Sequence, residues 1–368
     1  MIQKERLVNQ FFEFVQIDSE TGSEKAMGER LVKECRELGL EVVTDRAGET
    51  FGSDGFNVFA KLPGTMEGEP YLLSAHMDTV KPGRGIRPFI EDAVIKSGED
   101  TILGGDDKSG ICGILEAVRS ILEEGKPHRA AEIVFSIGEE GGMRGAKAFD
   151  TSVLQSRRGY IFDSSGDVGK IIVGAPGQSK VSADVIGKRA HAGLAPEQGI
   201  SAIQVMAKAV AKMNLLRIDE ETTCNIGEIH AEFATNIVPD RCHIFAEVRS
   251  RNLDKLNAQV KHMEQCLREA CEEAGASLEF NPYTNYISYR VPEDSDTVKN
   301  LLASFGRLGI TPVTALGGGG SDANIYNRKG IECVVLGTGM TKVHTTEETI
   351  TVENLYRTAL LAEDLLTH

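Results

Sequence analysis

Apolar residues along the chain follow two rhythms. From position 1 to about 40, beginning MIQKERLVNQFFEFVQI, they recur at helical spacing among charges, which predicts amphipathic helix. Short unbroken apolar runs then appear, YLLSAH ahead of position 77, AEIVFSI from 131 and RGYIFD from 158, separated by segments with helical periodicity. Such runs read as buried strands, and strands alternating with helices predict an α/β fold around a mostly parallel sheet. The helix expected at 109–124 follows GGDDKSG, whose Asp and Ser residues suit an N-cap, and it closes at Gly125 with Pro127 just beyond.

From Gln178 the pattern changes. A strand KVSADVIG, a helix from about Ile200 to Met213, strands around CNIGEIHAEF and RCHIFAEVRS, a charged helix at 253–274 and a strand SLEFNPY make a βαββαβ order, that of a small α+β sandwich. Residues 292–368 return to the first rhythm, with a helix, a Gly-rich loop, the strand VVLGTG and a closing helix VENLYRTALLAEDLL. The expectation is therefore one domain built from 1–177 and 290–368, with a second, 178–289, inserted into it.

Length and composition agree with two globular domains, since 368 residues with 41% apolar content exceed what one core usually organises. A net charge of -15 without a concentrated basic face argues against nucleic acid or an anionic membrane as partner. The N-terminus lacks the continuous apolar run of a signal peptide, and no stretch reaches a membrane span, so a cytoplasmic protein is expected. Cysteines at 35, 112, 224, 242, 266, 271 and 333 form no C-x-x-C pair, which suits buried, reduced thiols.

The chemistry-bearing residues follow apolar runs: His76 and Asp78 in SAHMDTV, Asp106 and Asp107 in GGDDKSG, Glu139 and Glu140 in SIGEEGG, Asp163 in IFDSSG and His344 in TGMTKVHTTEE. In an open α/β sheet, ligands gather at the carboxyl ends of strands, so these groups are expected on one rim. His76 and Asp78 lie two apart on an extended segment and share a face, so Asp78 is expected to accept the free ring N–H of His76. Adjacent Glu139 and Glu140 repel unless a cation or a shared proton compensates, which suggests that one binds metal and the other holds a water. Imidazole and carboxylate donors without thiolate suit zinc, with cobalt or manganese as alternatives. One ligand from each of these five motifs exceeds the needs of one structural zinc and fits two divalent ions with a bridging carboxylate.

Together with GKRAHAG, NIVPD and GGGGSDA, these motifs resemble, in order and over nearly the whole chain, the co-catalytic metallopeptidase family of carboxypeptidase G, succinyl-diaminopimelate desuccinylase, aminoacylase and peptidase T. The resemblance implies an α/β, zinc-peptidase-type mixed sheet flanked by helices, with the inserted α+β domain as a lid and dimerisation module, hence a homodimer. By the same resemblance, His76 and Asp163 hold one ion, Glu140 and His344 the other, and Asp106 bridges. Glu139 is then the general base that passes the water proton to the leaving amine, and the Asp106–Asp107 peptide bond is cis. His191 corresponds to the lid histidine that polarises the scissile carbonyl, and Asn236 and Arg249 to groups that hold the substrate carbonyl and carboxylate. The run LGGGGSDA lacks the Lys-Ser/Thr ending of a Walker loop. Its glycines, Gly319 among them, are expected to let backbone N–H groups approach a substrate carboxylate.

Within the family, GFNVFAKLPG, APGQSKVSADVIGKRAHAGLAPEQG and GMTKVHTTEE are most similar to peptidase T, which implies removal of the N-terminal residue from tripeptides. An N-acyl-amino-acid deacylase or carboxypeptidase shares every metal ligand and is the alternative. A non-catalytic metal-binding protein would need Glu139 lost, and it is present.

Overall fold

The computed structural model describes all 368 residues. Contacts group the chain into two compact units, one made of Met1–Gly174, Arg290–Gly317 and Ser321–His368, the other of Ala175–Tyr289 with Gly318–Gly320.

The first unit is organised by a mixed sheet whose strands lie in the order Glu41–Thr44, Val58–Leu62, Ala131–Ser136, Tyr71–His76, Arg158–Ser164, Glu332–Gly337, Lys170–Ala175 and Tyr289–Arg290, with Val313–Leu316 also paired to Lys170–Ala175. The four strands from Ala131–Ser136 to Glu332–Gly337 run parallel. Every residue of Tyr71–His76 and Ala131–Ser136 is buried, because helices cover both faces of a parallel sheet, and this is why they read as continuous apolar runs. On the flanks, Glu41–Thr44 pairs antiparallel with Val58–Leu62, Val58–Leu62 with Ala131–Ser136 and Lys170–Ala175 with Glu332–Gly337, while Val313–Leu316 runs parallel to Lys170–Ala175. Glu41–Thr44 gave no sequence signal: it is a short edge strand with mostly exposed side chains.

The amphipathic N-terminus forms two helices, Lys4–Val15 and Lys25–Glu37, rather than continuous helix to about 40. The break serves the sheet. Ser19 Oγ donates to the Met77 carbonyl at 2.8 Å, Thr21 Oγ1 donates to Asp78 at 2.7 Å, and Gly22 turns the chain at φ +94°. The helix Gly105–Glu124 begins before the expected position 109, but Asp106 and Asp107 have non-helical backbone angles, so its regular turns start at Lys108. It ends at Gly125, whose left-handed conformation lets its N–H reach the Ile121 and Leu122 carbonyls. It packs against the closing helix Val352–Thr367 and against the Tyr71–His76 and Arg158–Ser164 strands. No helix is long and apolar enough to cross a membrane.

The second unit is a five-stranded antiparallel sheet ordered Leu216–Arg217, Thr222–His230, Arg241–Ser250, Gly177–Ile186 and Ser277–Tyr286. Along Arg241–Ser250 every second residue is buried. Those residues pack with Val181, Ala183 and Val185 against Met206 of the helix Ala202–Lys212 and Met263 and Leu267 of the helix Leu253–Ala274. The βαββαβ order read from the sequence is present, with the two-residue strand Leu216–Arg217 added.

Gly110 faces the Arg158–Ser164 strand at Phe162. A Cβ there would meet the Phe162 carbonyl oxygen at 2.3 Å and Asp107 Oδ1 at 2.7 Å. Neither backbone nor buried carboxylate can yield cheaply, so Gly110→Ala is expected to destabilise the chain by about 1–3 kcal/mol through overpacking. Urea unfolding monitored by circular dichroism measures this, and an unchanged midpoint would show that the helix can shift freely.

Candidate metal centre

The ends of the parallel strands deliver the site. His76 is the last residue of its strand, Asp163 is the penultimate residue of its own, and Glu139 and Glu140 lie in the turn that follows Ala131–Ser136. Asp106 comes from the irregular start of the long helix, and His344 from the loop after Glu332–Gly337. Parallel pairing sets His76 level with Ser136, so the Glu pair emerges beside it.

His76 Nε2 lies 3.1 Å from Asp106 Oδ1 and 3.4 Å from Asp163 Oδ1. His344 Nε2 lies 2.8 Å from Glu140 Oε1 and 3.3 Å from Asp106 Oδ2. The two oxygens of Asp106 thus face different imidazoles, making two half-sites that share one carboxylate. All five residues expected to hold metal are brought together. The Asp106–Asp107 peptide bond is cis.

His76 Nδ1 faces the backbone carbonyl of Asp78 at 2.9 Å, with the Asp78 carboxylate farther off at 3.5 Å. A carbonyl only accepts, so Nδ1 carries a proton and Nε2 is the nitrogen that faces the carboxylates. The expectation that the Asp78 side chain takes this N–H is corrected: the chain leaves the strand after His76, which brings the main-chain oxygen nearer. The Asp78 carboxylate instead accepts the backbone N–H groups of Glu139 at 2.9 Å and Glu140 at 3.2 Å, and so fastens the Glu pair to the His76 segment.

Burial raises the proton affinity of Glu139, Glu140 and Asp107, and neighbouring carboxylates add to it; Asp163 is pushed up to about 7 for the same reasons. Burial acts in the same direction on Asp106, but the two imidazoles overcome it and hold that group below the usual carboxylate range. The Asp106 and Glu140 carboxylates push His344 up to about 10. Burial opposes protonation of His76, yet Asp163, Asp106 and Asp78 outweigh it and raise its pKa well above the usual value. Such a cluster calls for positive charge. Glu140 Oε1 is buried without a well-directed hydrogen bond although His344 Nε2 is 2.8 Å away. Imidazole nitrogens and carboxylate oxygens converging here, with no thiolate among them, fit divalent ions.

The inserted unit holds the other expected residues. His191 is exposed, and its Nδ1 accepts the backbone N–H groups of Gly193 and Leu194, both at 3.2 Å, so the proton resides on Nε2, free to donate. Asn236 lies alongside, its carbonyl accepting the Ala192 N–H at 2.9 Å, and its side chain is exposed. Arg249 gives Nε and Nη2 to the two oxygens of Glu247 at 2.8 and 3.3 Å, while its Nη1 lies on the side of Gly319, 3.8 Å from where a Cβ would stand.

Three buried carboxylates escaped assignment from the sequence. Asp107 is gathered with His76 and Asp163, and its Oδ2 accepts the His76 backbone N–H at 3.2 Å. Asp322, inside GGGGSDA, accepts the Ser136 hydroxyl at 2.5 Å and keeps its other oxygen buried without a hydrogen bond. Glu348 accepts the backbone N–H groups of Leu103, Gly104 and Asp106. Each is adjacent to or within a motif already singled out, which was the available signal.

Residues 72–368 match the family described as Peptidase family M20/M25/M40. YqjE of Bacillus subtilis (strain 168), a protein described as uncharacterized, is 40% identical over 359 residues, 98% of this chain and 97% of that one. The crystal structure of aminopeptidase PepT from Bacillus cereus is 42% identical, with a TM-score of 0.92 over 100% of this chain and 98% of that chain. That of a tripeptidase from Staphylococcus aureus is 39% identical, with a TM-score of 0.96 over 100% of this chain and 98% of that chain. By the family match and by identity along its whole length, the chain belongs to the M20/M25/M40 peptidase family.

Proposed function

We propose that this chain is a dinuclear metallopeptidase that releases the N-terminal residue of short peptides, tripeptides foremost. The observation that carries this reading is the shared carboxylate of Asp106, with one oxygen toward His76 and the other toward His344. Whole-length similarity to proteins titled aminopeptidase and tripeptidase supports the substrate class.

In this reading His76 and Asp163 hold one ion, Glu140 and His344 the other, and Asp106 both. Zinc suits the donor set best, with cobalt and manganese next. Bound there, two such ions would supply Lewis-acid activation of water and of the scissile carbonyl. Glu139, held by the Asp78 carboxylate through its backbone N–H, is proposed to take the water proton and hand it to the leaving amine. His191 is proposed to donate its Nε2 proton to the substrate carbonyl oxygen, and its fixed tautomer supports this role. Asn236 is proposed to hold a substrate carbonyl. Arg249, with Gly319 beside it, is proposed to take the substrate carboxylate through the edge that Glu247 leaves free.

A homodimer through the inserted unit is proposed, supported by Ile229 on Thr222–His230 and Tyr283 on Ser277–Tyr286, which are 59% and 53% exposed. Sedimentation velocity checks it, and a monomer at assay concentrations would overturn it. Seven buried free cysteines support a reducing, cytoplasmic location.

Glu139→Gln is expected to lower kcat by about 10²–10⁴-fold while both ions stay bound. A release assay run beside metal analysis checks this, and activity near wild type refutes the role of Glu139. Protein stripped of metal should be inactive, and zinc, cobalt or manganese should restore release of the N-terminal residue from tripeptides. Dipeptides and N-acyl amino acids belong in the same panel, because a deacylase or carboxypeptidase would prefer them. Cleavage of none of these with any metal would defeat the hydrolase reading.

A further inference from the structure

His344 is the least supported of the five proposed ligands. Its side chain is 49% exposed and its backbone is left-handed, with φ at 65°. Its loop is closed locally: Thr341 and Thr349 exchange backbone hydrogen bonds at 2.9 and 3.1 Å, Thr345 Oγ1 donates to the Lys342 carbonyl at 2.8 Å, and the Glu348 N–H reaches the Thr345 carbonyl at 3.1 Å. These contacts shape the loop but do not register it against the rest of the site.

Glu348 supplies that register. Its carboxylate is buried, at 2% exposure, and its Oε2 accepts the N–H groups of Leu103 at 2.9 Å and Gly104 at 2.8 Å. Oε1 accepts the N–H of Asp106 at 2.9 Å. The turn wraps closely around the acid: Gly104 is left-handed, and a Cβ on Gly105 would stand 3.1 Å from Glu348 Oε1. Both oxygens are thus engaged by donors of one turn, so this carboxylate binds the turn that presents Asp106 rather than an ion. Charge-assisted hydrogen bonds to backbone N–H are among the strongest available.

We propose that Glu348 is a positioning residue that registers the His344 loop against the Asp106 turn and thereby sets the ion affinity of the His344–Glu140 half-site. The inference rests on the two-ion reading. Its asymmetry follows from the fold: His76 and Asp163 stand on paired strands at the centre of the sheet and keep their places through the ladder, whereas His344 sits in a loop whose ends are held by the Gly166–Met340 backbone bond and by pairing of Thr349–Thr351 with Val94–Lys96, and Glu348 ties that loop to the Asp106 turn. Glutamine in place of Glu348 would turn an NH2 group toward N–H donors, and aspartate would fall one methylene short of holding all three.

The test is a cobalt(II) titration of metal-stripped wild type, Glu348→Gln, Glu348→Asp and His344→Ala, followed by d–d absorption and by competition with a chromophoric chelator. Wild type should take two ions. Glu348→Gln should bind the first like wild type and the second about 10–100-fold more weakly, the usual effect of removing a residue that orients a ligand. Glu348→Asp should fall between wild type and Glu348→Gln, and it carries the test if the glutamine variant does not fold. His344→Ala should lose the second ion and so mark which step belongs to that half-site. Equal weakening of both ions would mean general structural loss and overturns the proposal, as do variants that bind both ions like wild type. Fewer than two ions in wild type would sink the two-ion reading and this proposal together.

Discussion

Carboxyl groups of Asp106, Asp107, Glu139, Glu140 and Asp163 converge at one end of a sheet, and most of them are forced toward protonation by burial and mutual repulsion. The surrounding structure is organised around this repulsion. Two imidazoles, each facing the shared Asp106 from its own side, compensate it when protonated, and divalent ions bound to the same nitrogens would take over that role. Buried Lys108, whose Nζ donates to Ser19 Oγ at 2.8 Å, adds a further cation just behind the turn. Nothing in the apolar core favours such a concentration of acids; it persists because the strands that carry it are fixed by their own packing.

That packing explains the precision of the site. Tyr71–His76 and Ala131–Ser136 are buried along their whole length, and their parallel register sets His76 level with Ser136. The Asp78 carboxylate then ties the Glu139–Glu140 backbone to the same segment, and the Asp78 carbonyl fixes the His76 tautomer. One residue therefore orients an imidazole with its main chain and two acids with its side chain. Glu348 has a comparable relation to Asp106, through three backbone donors.

Much of this was legible in the chain. Strand-length apolar runs ending in His, Asp or Glu announced a parallel sheet with a polar rim, and the change of rhythm at Gln178 announced a separate α+β unit. Other features were not legible because they depend on partners far away in sequence. The break between the first two helices exists because Ser19 and Thr21 bond to residues near 77, about sixty positions on. Glu41–Thr44 is a strand only because Val58–Leu62 lies beside it.

Sequence alone determined the kinds of groups present, their placement after apolar runs and the order of elements, because periodicity and turn chemistry are local properties. Which atom of each residue is used was decided only by the tertiary structure. Whether Asp78 reaches His76 through carbonyl or carboxylate, which way each Asp106 oxygen points, and that Glu348 holds a turn some 240 residues earlier in the chain depend on distances of a few tenths of an ångström. Such distances are set by the packing of whole strands and helices against one another, and no local pattern encodes them.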